Sequence, residues 1–375
     1  MRRAAERTAT AAAVGSRIAE LRALALTGLE RMYDARAGRF VFCIRKTAAG
    51  VAREGLSDRY TAITAIGLAH EAPDAVRQIL AGDTLDGLMG RLVAGVDTIA
   101  NLGDLALIAW AGDAVGCATG RVWKRILELD PLNGSHPTVE VAWTLSAAAL
   151  DRRGTAPGGV ADALAMRLQR AYSPGAGVFP HQIGAGGRHV SCFADLVYPT
   201  LALAQYGRSR RDEAAVQCAA RCADRMCRNQ GSAGQWWWHF DYRTGGVIEG
   251  YPVYAVHQTS MAPMALLAAA AASGSSHVHD AAIDKGLDWL WSAPELSGNS
   301  LIDRGEGLIW RKVARREPAK FSRYVQATVS RLAPKLRAPA LFPATAIDFE
   351  DRPYHLGWIL YAWPAGTARR SGSKP

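Results

Sequence analysis

The chain has 375 residues, 49% of them hydrophobic, and a formal net charge of +10. This length allows one large domain with a sizeable core, and its longest apolar run, 264–272, is far shorter than the roughly 20 residues that span a bilayer. Positive charge is spread along the chain with no basic helix interleaved with aromatic residues, which argues against nucleic-acid binding.

The N-terminal sequence Met1-Arg2-Arg3 is charged but is not followed by the apolar segment of a secretory signal. We therefore predict a cytoplasmic protein, with a flexible N-terminus over 1–15, a single domain over 16–364 and a disordered tail over 365–375. The six cysteines are expected to be free thiols. Their spacings match no zinc or redox motif, and no nucleotide-binding loop occurs, so we expect neither a metal nor a cofactor.

Apolar residues recur at i, i+3, i+4 and i+7 through most of the chain, whereas strand-like alternation is scarce. The sequence therefore predicts an all-α protein. The predicted helices form pairs, which are, in chain order, 17–33 with 57–70, 84–99 with 101–113, 120–130 with 136–152, 160–172 with 190–206, 211–228 with 252–272, and 278–292 with 353–363. One more helix is predicted over 320–335.

An internal repeat supports this pairing. Leu29-Glu-Arg31-Met-Tyr33 followed by Gly38-Arg-Phe40 matches Leu168-Gln-Arg170-Ala-Tyr172 followed by Gly177-Val-Phe179 at identical spacing. A looser third copy leads from Asp224-Arg-Met226 to Gly234-Gln-Trp236. Chance similarity among alanine-rich helices is the alternative, but matching Arg, Tyr, Gly and aromatic positions together favour a repeated helical hairpin.

The pattern Gln230-x-x-x-Gly234-x-Trp236 at the end of an amphipathic helix resembles the Gln/Trp repeat of triterpene cyclases. More broadly it is similar to the α/α-toroid superfamily, which includes protein prenyltransferases, and the helix pairs are similar to those of six-hairpin glycosidases. The resemblance implies an α/α toroid, a ring of about six helical hairpins. It also implies that the motif ties the end of an outer helix to the loop leading into the next inner helix.

If the second helix of each pair is the inner one, the first turns of the inner helices converge on one mouth of the ring. The segments that begin these helices are rich in polar and aromatic residues, which are costly to bury unpaired. Together with the tryptophan run, in which Trp236 is expected in the core, they give the predicted substrate-binding residues: Asp58, Arg59, Tyr60, Trp143, Tyr198, Trp237, Trp238, His239, Tyr251, Gln258, Tyr354 and His355.

Several of these residues also have structural interpretations. Ser57 and Asp58 are typical helix caps, and Arg59 is equally suited to an ion pair with Asp195 or Glu140 as to a substrate carboxylate or phosphate. His257 and His355 also suit hydrogen-bonded positions in the core.

Sugar hydrolysis needs two carboxylates about 5–9.5 Å apart, and the candidates are Glu140, Asp195, Asp241 and Glu249. Elimination or epimerisation α to a uronate carboxyl would instead use Tyr254 and His257 as acid or base, with Arg59 to neutralise the substrate carboxylate. The residues leave these mechanisms open.

The sequence predicts a cytoplasmic enzyme that acts on a carbohydrate or glycoconjugate, with a small molecule or oligosaccharide as its partner and no integral membrane association. Trp237 or Trp238 would stack on a sugar ring. A terpenoid-cyclase-like or prenyl-binding enzyme is the alternative, although the Asp-x-Asp-Asp acid motif of that chemistry is absent and 348–351 is its nearest match. A non-catalytic toroid that binds a glycan or lipid is the third hypothesis.

Overall fold

Helices account for most of the computed structural model, which describes residues 2–184, 189–318, 320–334, 336 and 342–366. A π-helical turn, His257–Met261, leads into the eleventh helix. The helices are α1 (Arg2–Met32), α2 (Asp58–Leu68), α3 (Pro73–Ile79), α4 (Leu85–Ala94), α5 (Leu102–Val115), α6 (Gly120–Glu128), α7 (Thr138–Leu150), α8 (Val160–Ala171), α9 (Phe193–Arg210), α10 (Glu213–Asn229), α11 (Ala262–Ala272), α12 (Asp280–Ser292), α13 (Phe321–Leu332) and α14 (Pro353–Ala362).

The helices form two concentric rings. In the inner ring each of α2, α5, α7, α9, α11 and α14 packs against the next, and α14 returns to α2. The outer ring contains α1, α4, α6, α8, α10 and α12, and the next helix in the chain is an inner one in every case except α12, where α13 comes before α14. The predicted α/α toroid is therefore confirmed, and so are its six helix pairs. Helix α13 belongs to neither ring and packs against a strand at the mouth.

Sequence composition explains which helices lie inside. In α5, every residue from Leu102 to Gly112 except Asp104 is buried, because a helix that is apolar on all sides needs neighbours all round. Outer helix α6 buries only Val122, Trp123 and Ile126 along one stripe. Helices that are apolar on all sides therefore lie in the inner ring, and helices with one apolar stripe lie in the outer ring.

Short strands border the mouth, at the ends where the inner helices begin. The β2–β3 hairpin was not predicted, and neither were the strands between 302 and 351. The strands are β1 (Tyr33–Asp34), β2 (Arg39–Thr47), β3 (Gly50–Leu56), β4 (His136–Pro137), β5 (Gln182–Ile183), β6 (Val190–Cys192), β7 (His239–Asp241), β8 (Val247–Glu249), β9 (Val253–Tyr254), β10 (Ile302–Asp303), β11 (Leu308–Ile309), β12 (Lys312–Ala314), β13 (Ala346–Asp348) and β14 (Glu350–Asp351).

Three small sheets connect distant parts of the chain at the mouth. Strand β2 pairs with β1, β3 and β14; β12 lies between β9 and β13; and β7 lies between β6 and β8. All of these pairs are antiparallel. The sheets therefore hold the loops that precede α2, α9, α11 and α14 in fixed positions.

The chain ends are described only in part. Helix α1 begins at Arg2 and so includes the segment 1–15, apart from its first residue, that was assigned to a flexible N-terminus. Residues 367–375 of the predicted tail and residue 335 of the predicted extra helix lie outside the described residues. The domain limits stay a prediction. No helix in the described part of the chain is long and apolar enough to cross a membrane.

Candidate functional site

A cavity of about 240 Å³ opens at the mouth of the ring, and we call it the mouth cavity. One wall is aromatic and comes from the segment 238–254, while the other comes from the segment 311–323, which was not predicted to take part. The lining residues are Trp238, His239, Tyr251, Pro252, Tyr254, Arg311, Lys312, Ala314, Arg315, Glu317, Lys320 and Arg323.

The aromatic wall is built around Trp238. Its ring stacks on Tyr254, with centroids 4.4 Å apart, and on His257, with centroids 5.6 Å apart and planes 11° from parallel. Burial raises the pKa of Tyr254 to about 12, so this phenol stays protonated at neutral pH. Trp238 and Tyr254, with His257 packed behind them, form a face that suits the apolar side of a sugar ring.

His239 is buried at 3% exposure and lines the same cavity. Neither of its ring nitrogens has a hydrogen-bond partner among the described residues. Burial, reinforced by the positive charge of Arg323, lowers the pKa of His239 to about 2. The imidazole is therefore neutral and offers one donor and one acceptor to a ligand.

The opposite wall is basic. Arg311 pairs with Glu350 at 3.1 Å, Lys312 with Asp348 at 2.8 Å, and Arg315 with Glu249 at 3.2 Å. Lys320 and Arg323 have no acidic partner within the described ranges of the chain. Glu317 is the one acid among the lining residues, against five basic residues, so the cavity keeps an excess of positive charge. The only sequence signal for this wall was the short Arg315-Arg316 run.

Asp195 lies in the first turn of α9 and is fully buried. One carboxylate oxygen, Oδ2, accepts hydrogen bonds from the backbone N–H of Cys192 at 2.7 Å and lies 3.0 Å from Nδ1 of His181. The other oxygen, Oδ1, has no partner among the described residues. Burial raises the pKa of Asp195 above its usual value. Asp195 does not itself line the mouth cavity, but Cys192, to which it bonds, is the antiparallel partner of His239, which does.

The donor atoms of His181, Cys192 and Asp195 lie within 4.8 Å of one another, a grouping able to hold a metal ion. The carboxylate of this group is already engaged by the histidine ring and by the N–H that it caps. These bonds account for the arrangement without an ion. Burial also raises the pKa of the Cys192 thiol well above its usual value, which disfavours a thiolate.

Glu140 lies in the first turn of α7, the inner helix next to α9. Its carboxylate accepts a hydrogen bond from Nδ2 of Asn101 at 2.9 Å. Arg59, for which the sequence offered Glu140 or Asp195 as a partner, instead pairs with Asp104 and donates to Asn101 Oδ1 at 2.9 Å. That prediction is corrected, because Asp104 projects from the first turn of the adjacent helix α5. Arg59 reaches Glu140 only through the asparagine.

Helix capping is confirmed at the start of α2. Ser57 accepts a hydrogen bond from the N–H of Tyr60 at 3.2 Å, and Asp58 pairs with Arg39 at 3.0 Å. The Tyr60 hydroxyl accepts from Arg352 at 2.6 Å, and its ring packs 4.8 Å from that of Tyr354. These groups line the rim formed by α2 and α14.

Asp241 and Glu249, two of the predicted catalytic carboxylates, each form an ion pair with an arginine. Asp241 accepts from Arg243 Nη2 and from the Ser330 hydroxyl, both at 2.7 Å, and these bonds keep its pKa low against the opposing effect of burial. Glu249 accepts from the N–H of Tyr251 at 2.8 Å and pairs with Arg315. Neither lines the mouth cavity, and both hold residues that surround it.

Three other predicted residues make internal contacts. Nε2 of His355 lies 2.9 Å from the Thr259 hydroxyl. The amide of Gln258, oriented to satisfy both its ends, donates to the Gly234 carbonyl and accepts from the Trp236 N–H, each at 3.1 Å. His257 packs behind Trp238 and does not line the cavity.

The remaining aromatic residues extend the rim. Trp143 and Tyr198 meet edge to face at 4.9 Å across the α7–α9 contact, and the Trp143 ring also lies 5.7 Å from the Arg59 guanidinium. Trp237 meets Tyr251 edge to face at 5.7 Å. The Trp143 indole N–H has no partner in the described part of the chain.

Comparison with known proteins identifies the fold. Over 92% of this chain and 95% of the other, the structure is similar to the unsaturated glucuronyl hydrolase of Bacillus sp. GL1, described as responsible for the degradation of glycosaminoglycan, with a TM-score of 0.58 and 13% identity. A UGL variant with dGlcA-Glc-Rha-Glc matches with the same values. A wild-type glycosidase matches over 93% of this chain and 96% of its own, with a TM-score of 0.53 and 13% identity.

No protein-family model and no curated protein sequence matches the chain. At 13% identity the structural likeness shows the fold. The chain thus shares the α/α toroid of six-hairpin glycosidases, as its sequence pattern predicted.

Proposed function

We propose that the protein is a glycoside hydrolase acting on an acidic oligosaccharide, one that carries uronate or similar anionic groups. The observation that carries the proposal is the mouth cavity, where the Trp238–Tyr254 face and the unpartnered His239 confront the unneutralised charges of Lys320 and Arg323. A site for an acidic sugar requires an aromatic ring to stack on, hydrogen-bonding groups for the hydroxyls and positive charge to neutralise the carboxylate. The terpenoid alternative is disfavoured, because five basic residues line this cavity.

The neighbouring structures support the same class of chemistry. They are an unsaturated glucuronyl hydrolase and a glycosidase, and one structure is of a UGL variant with dGlcA-Glc-Rha-Glc. These names support an acidic oligosaccharide as the class of substrate. The cytoplasmic location stays a prediction from the sequence.

Asp195 is the proposed general acid. Its raised pKa favours the protonated carboxyl that a leaving glycosidic oxygen requires, and Oδ1 is not occupied by another described group. His181 and the N–H of Cys192 orient the carboxyl through Oδ2.

Glu140 is the proposed partner carboxylate. It occupies the first turn of α7 as Asp195 does on α9, and these two inner helices pack against each other. The proposal requires the two carboxyl groups to lie about 5–9.5 Å apart across the glycosidic bond. In the proposed reaction Asp195 protonates the leaving oxygen as the bond from the anomeric carbon breaks. Glu140 either takes a proton from the water that attacks the anomeric carbon, or itself bonds to that carbon in a glycosyl intermediate that water then hydrolyses.

The test is hydrolysis of uronate-containing oligosaccharides, followed by the release of reducing ends. Asp195→Asn and Glu140→Gln should each lower kcat by at least about a hundredfold, while calorimetry shows that the substrate still binds. Glu249→Gln serves as a control, because its carboxylate holds Arg315 and would alter KM more than kcat. Full activity in the Asp195 and Glu140 variants would overturn the assignment.

Substrate charge is tested separately. Arg323→Gln and Lys320→Gln should weaken binding of an acidic oligosaccharide, each by about tenfold, because each removes a positive charge from a partly desolvated cavity. A neutral oligosaccharide of equal length should bind all three proteins alike. Preference for the neutral sugar by the unmodified protein would remove the basis for an acidic substrate.

A further inference from the structure

Helix α13 has the reverse of the usual polarity. Its buried residues are polar, namely Ser322, Gln326 and Ser330. Its large apolar residues at both ends are exposed, Phe321 by 46% and Leu332 by 79%, while Val325 and Val329 are half-buried. A contiguous exposed apolar surface typically marks a site of interaction.

The exposed residues share one face. At about 3.6 residues per turn, positions 321, 324, 328 and 332 of α13 align. Tyr324 is 64% exposed, and Leu336, just beyond the helix, is 63% exposed. We call Phe321, Tyr324 and Leu332 the outer stripe.

Hydrogen bonds fix this orientation. The Ser330 hydroxyl donates to Asp241 at 2.7 Å, and Arg243 donates to the Ser330 carbonyl at 2.7 Å. The ring of His189 lies 3.1 Å from the Ala327 carbonyl. Rolling the apolar face inward would break these bonds, so the outer stripe stays exposed unless something covers it.

Basic residues accompany the outer stripe. Arg316, Lys320 and Arg331 are all exposed at or beside α13, and the chain carries a net charge of +10. A second copy of this chain would bring two positive surfaces together, which is unfavourable. An anionic surface is attracted by the same charges.

We propose that α13 docks the protein on an anionic lipid surface, with the outer stripe inserted at the level of the headgroups. Apolar side chains on one face and lysines and arginines beside them are the features of helices that lie in a membrane interface. Lys320 and Arg323, at the start of α13, also line the mouth cavity. Docking therefore places the cavity opening next to the membrane surface.

The test uses the full chain and sedimentation with vesicles. We expect the protein to sediment with phosphatidylcholine vesicles that contain about one quarter phosphatidylglycerol, much less with pure phosphatidylcholine, and less as salt is raised. Tyr324→Ser combined with Leu332→Ser should lower the partition coefficient by at least about tenfold, since both side chains lose their apolar contact. Val278→Ser, at another exposed apolar site in the turn before α12, should leave it unchanged.

Three results would overturn the proposal: no sedimentation with anionic vesicles, equal sedimentation with neutral ones, or an unchanged partition coefficient in the double variant. Sedimentation velocity without vesicles tests whether a second copy of the chain binds the outer stripe instead. A dimer that the double variant dissociates would assign the outer stripe to that contact. Vesicle binding is measured without substrate. Its failure is therefore distinct from failure of the proposed hydrolase activity.

Discussion

Two buried histidines at the mouth are held in opposite ways. His355 lies within 2.9 Å of the Thr259 hydroxyl and 3.6 Å from Asp351, whereas both nitrogens of His239 lack a partner among the described residues. An unsatisfied buried polar group costs about 1–3 kcal/mol. A protein retains such a group where a ligand completes its hydrogen bonds, so His239 is better interpreted as a binding residue than as part of the core.

This contrast predicts opposite effects of one substitution. His239→Phe removes the unsatisfied nitrogens and should raise the free energy of unfolding by about 1 kcal/mol, while weakening oligosaccharide binding about tenfold or more. His355→Phe breaks satisfied contacts and should lower the free energy of unfolding by about 1–3 kcal/mol. Urea unfolding and calorimetry measure the two quantities. A loss of stability in both variants would show that His239 is structural.

A second prediction concerns pH. Burial against Phe193 and Trp238 lowers the pKa of His257 to about 3, whereas the unfolded chain takes up this proton near pH 6.5. Below pH 6.5 the unfolded state binds more protons than the folded one, so stability is fully present above that pH and falls as the solution is acidified. At pH 5 the loss is about 2 kcal/mol for one such histidine.

The measurement is the free energy of unfolding from urea titrations at several values between pH 5 and pH 7. His257→Gln removes one titrating group, so its free energy of unfolding should fall less steeply with acidification than that of the unmodified protein. His239 has a lowered pKa as well and contributes a similar slope. An identical slope in the His257 variant would mean that this imidazole is protonated in the folded state.

At the scale of elements, the Gln/Trp pattern acts as a connector between hairpins. Gln230, at the end of α10, donates to the Gly234 carbonyl at 3.1 Å and to the Ala282 carbonyl of α12 at 2.8 Å. Trp236 is buried beside Gly286, where an added Cβ would lie 2.5 Å from its indole nitrogen. One outer helix is thereby joined to the next, and Gln258 holds the same loop from the inner helix side.

Removing the connector should weaken the whole ring. Gln230→Leu deletes both hydrogen bonds and should lower the free energy of unfolding by about 1–3 kcal/mol. Gln217→Leu is the matched control. This exposed residue on the same helix has Glu213 as its one side-chain partner among the described residues, at 3.3 Å, so its loss should change stability by less than about 0.5 kcal/mol. Equal effects in thermal unfolding would remove Gln230 from this role.

The helices were predicted from the sequence, whereas the strands at the mouth were not. Helical periodicity is local, so the six pairs were found from spacing alone, and all six match the two rings. The mouth strands escaped prediction because most are two or three residues long and pair with distant segments, as β2 does with β14. The basic wall was missed for a related reason: nothing local indicates that 311–323 folds over the segment 238–254.

The candidate site was predicted in outline but not in detail. Trp238, His239, Tyr251 and Tyr254 do meet in one cavity. The roles of single polar residues depend on partners that spacing does not reveal. Asp241 pairs with Arg243, only two residues away, whereas Glu249 pairs with Arg315, from a segment far along the chain.

At the scale of the whole molecule, the mouth exists because the ring closes. The last inner helix, α14, packs on the first, α2, and also on α1. The first turns of α2 and α14 carry rim residues, including Tyr60 and Tyr354, whose rings are 4.8 Å apart. The two chain ends of the domain are therefore brought together at the substrate rim, and loss of this contact would open the site as well as destabilise the fold.

Closure depends on a glycine contact, which gives the last prediction. A Cβ at Gly67 of α2 would lie 2.2 Å from the carbonyl oxygen of Gly357 in α14. Backbone cannot yield as a flexible side chain does, so Gly67→Ala must push the two helices apart. Overpacking of this kind costs about 1–3 kcal/mol or more. The variant should also lose substrate affinity, because Tyr60 and Tyr354 separate with their helices.

Gly90→Ala provides the control, since Gly90 is an exposed helical glycine in α4 with nothing within 4 Å of an added Cβ. There alanine should stabilise the protein by about 0.5–1 kcal/mol, because it restricts the unfolded chain and favours the helix. Opposite shifts of the unfolding transition in the two variants, with affinity lost only in Gly67→Ala, are the expected result. Unchanged stability in Gly67→Ala would mean that closure of the ring does not depend on this contact and that the rim is held by the strands alone.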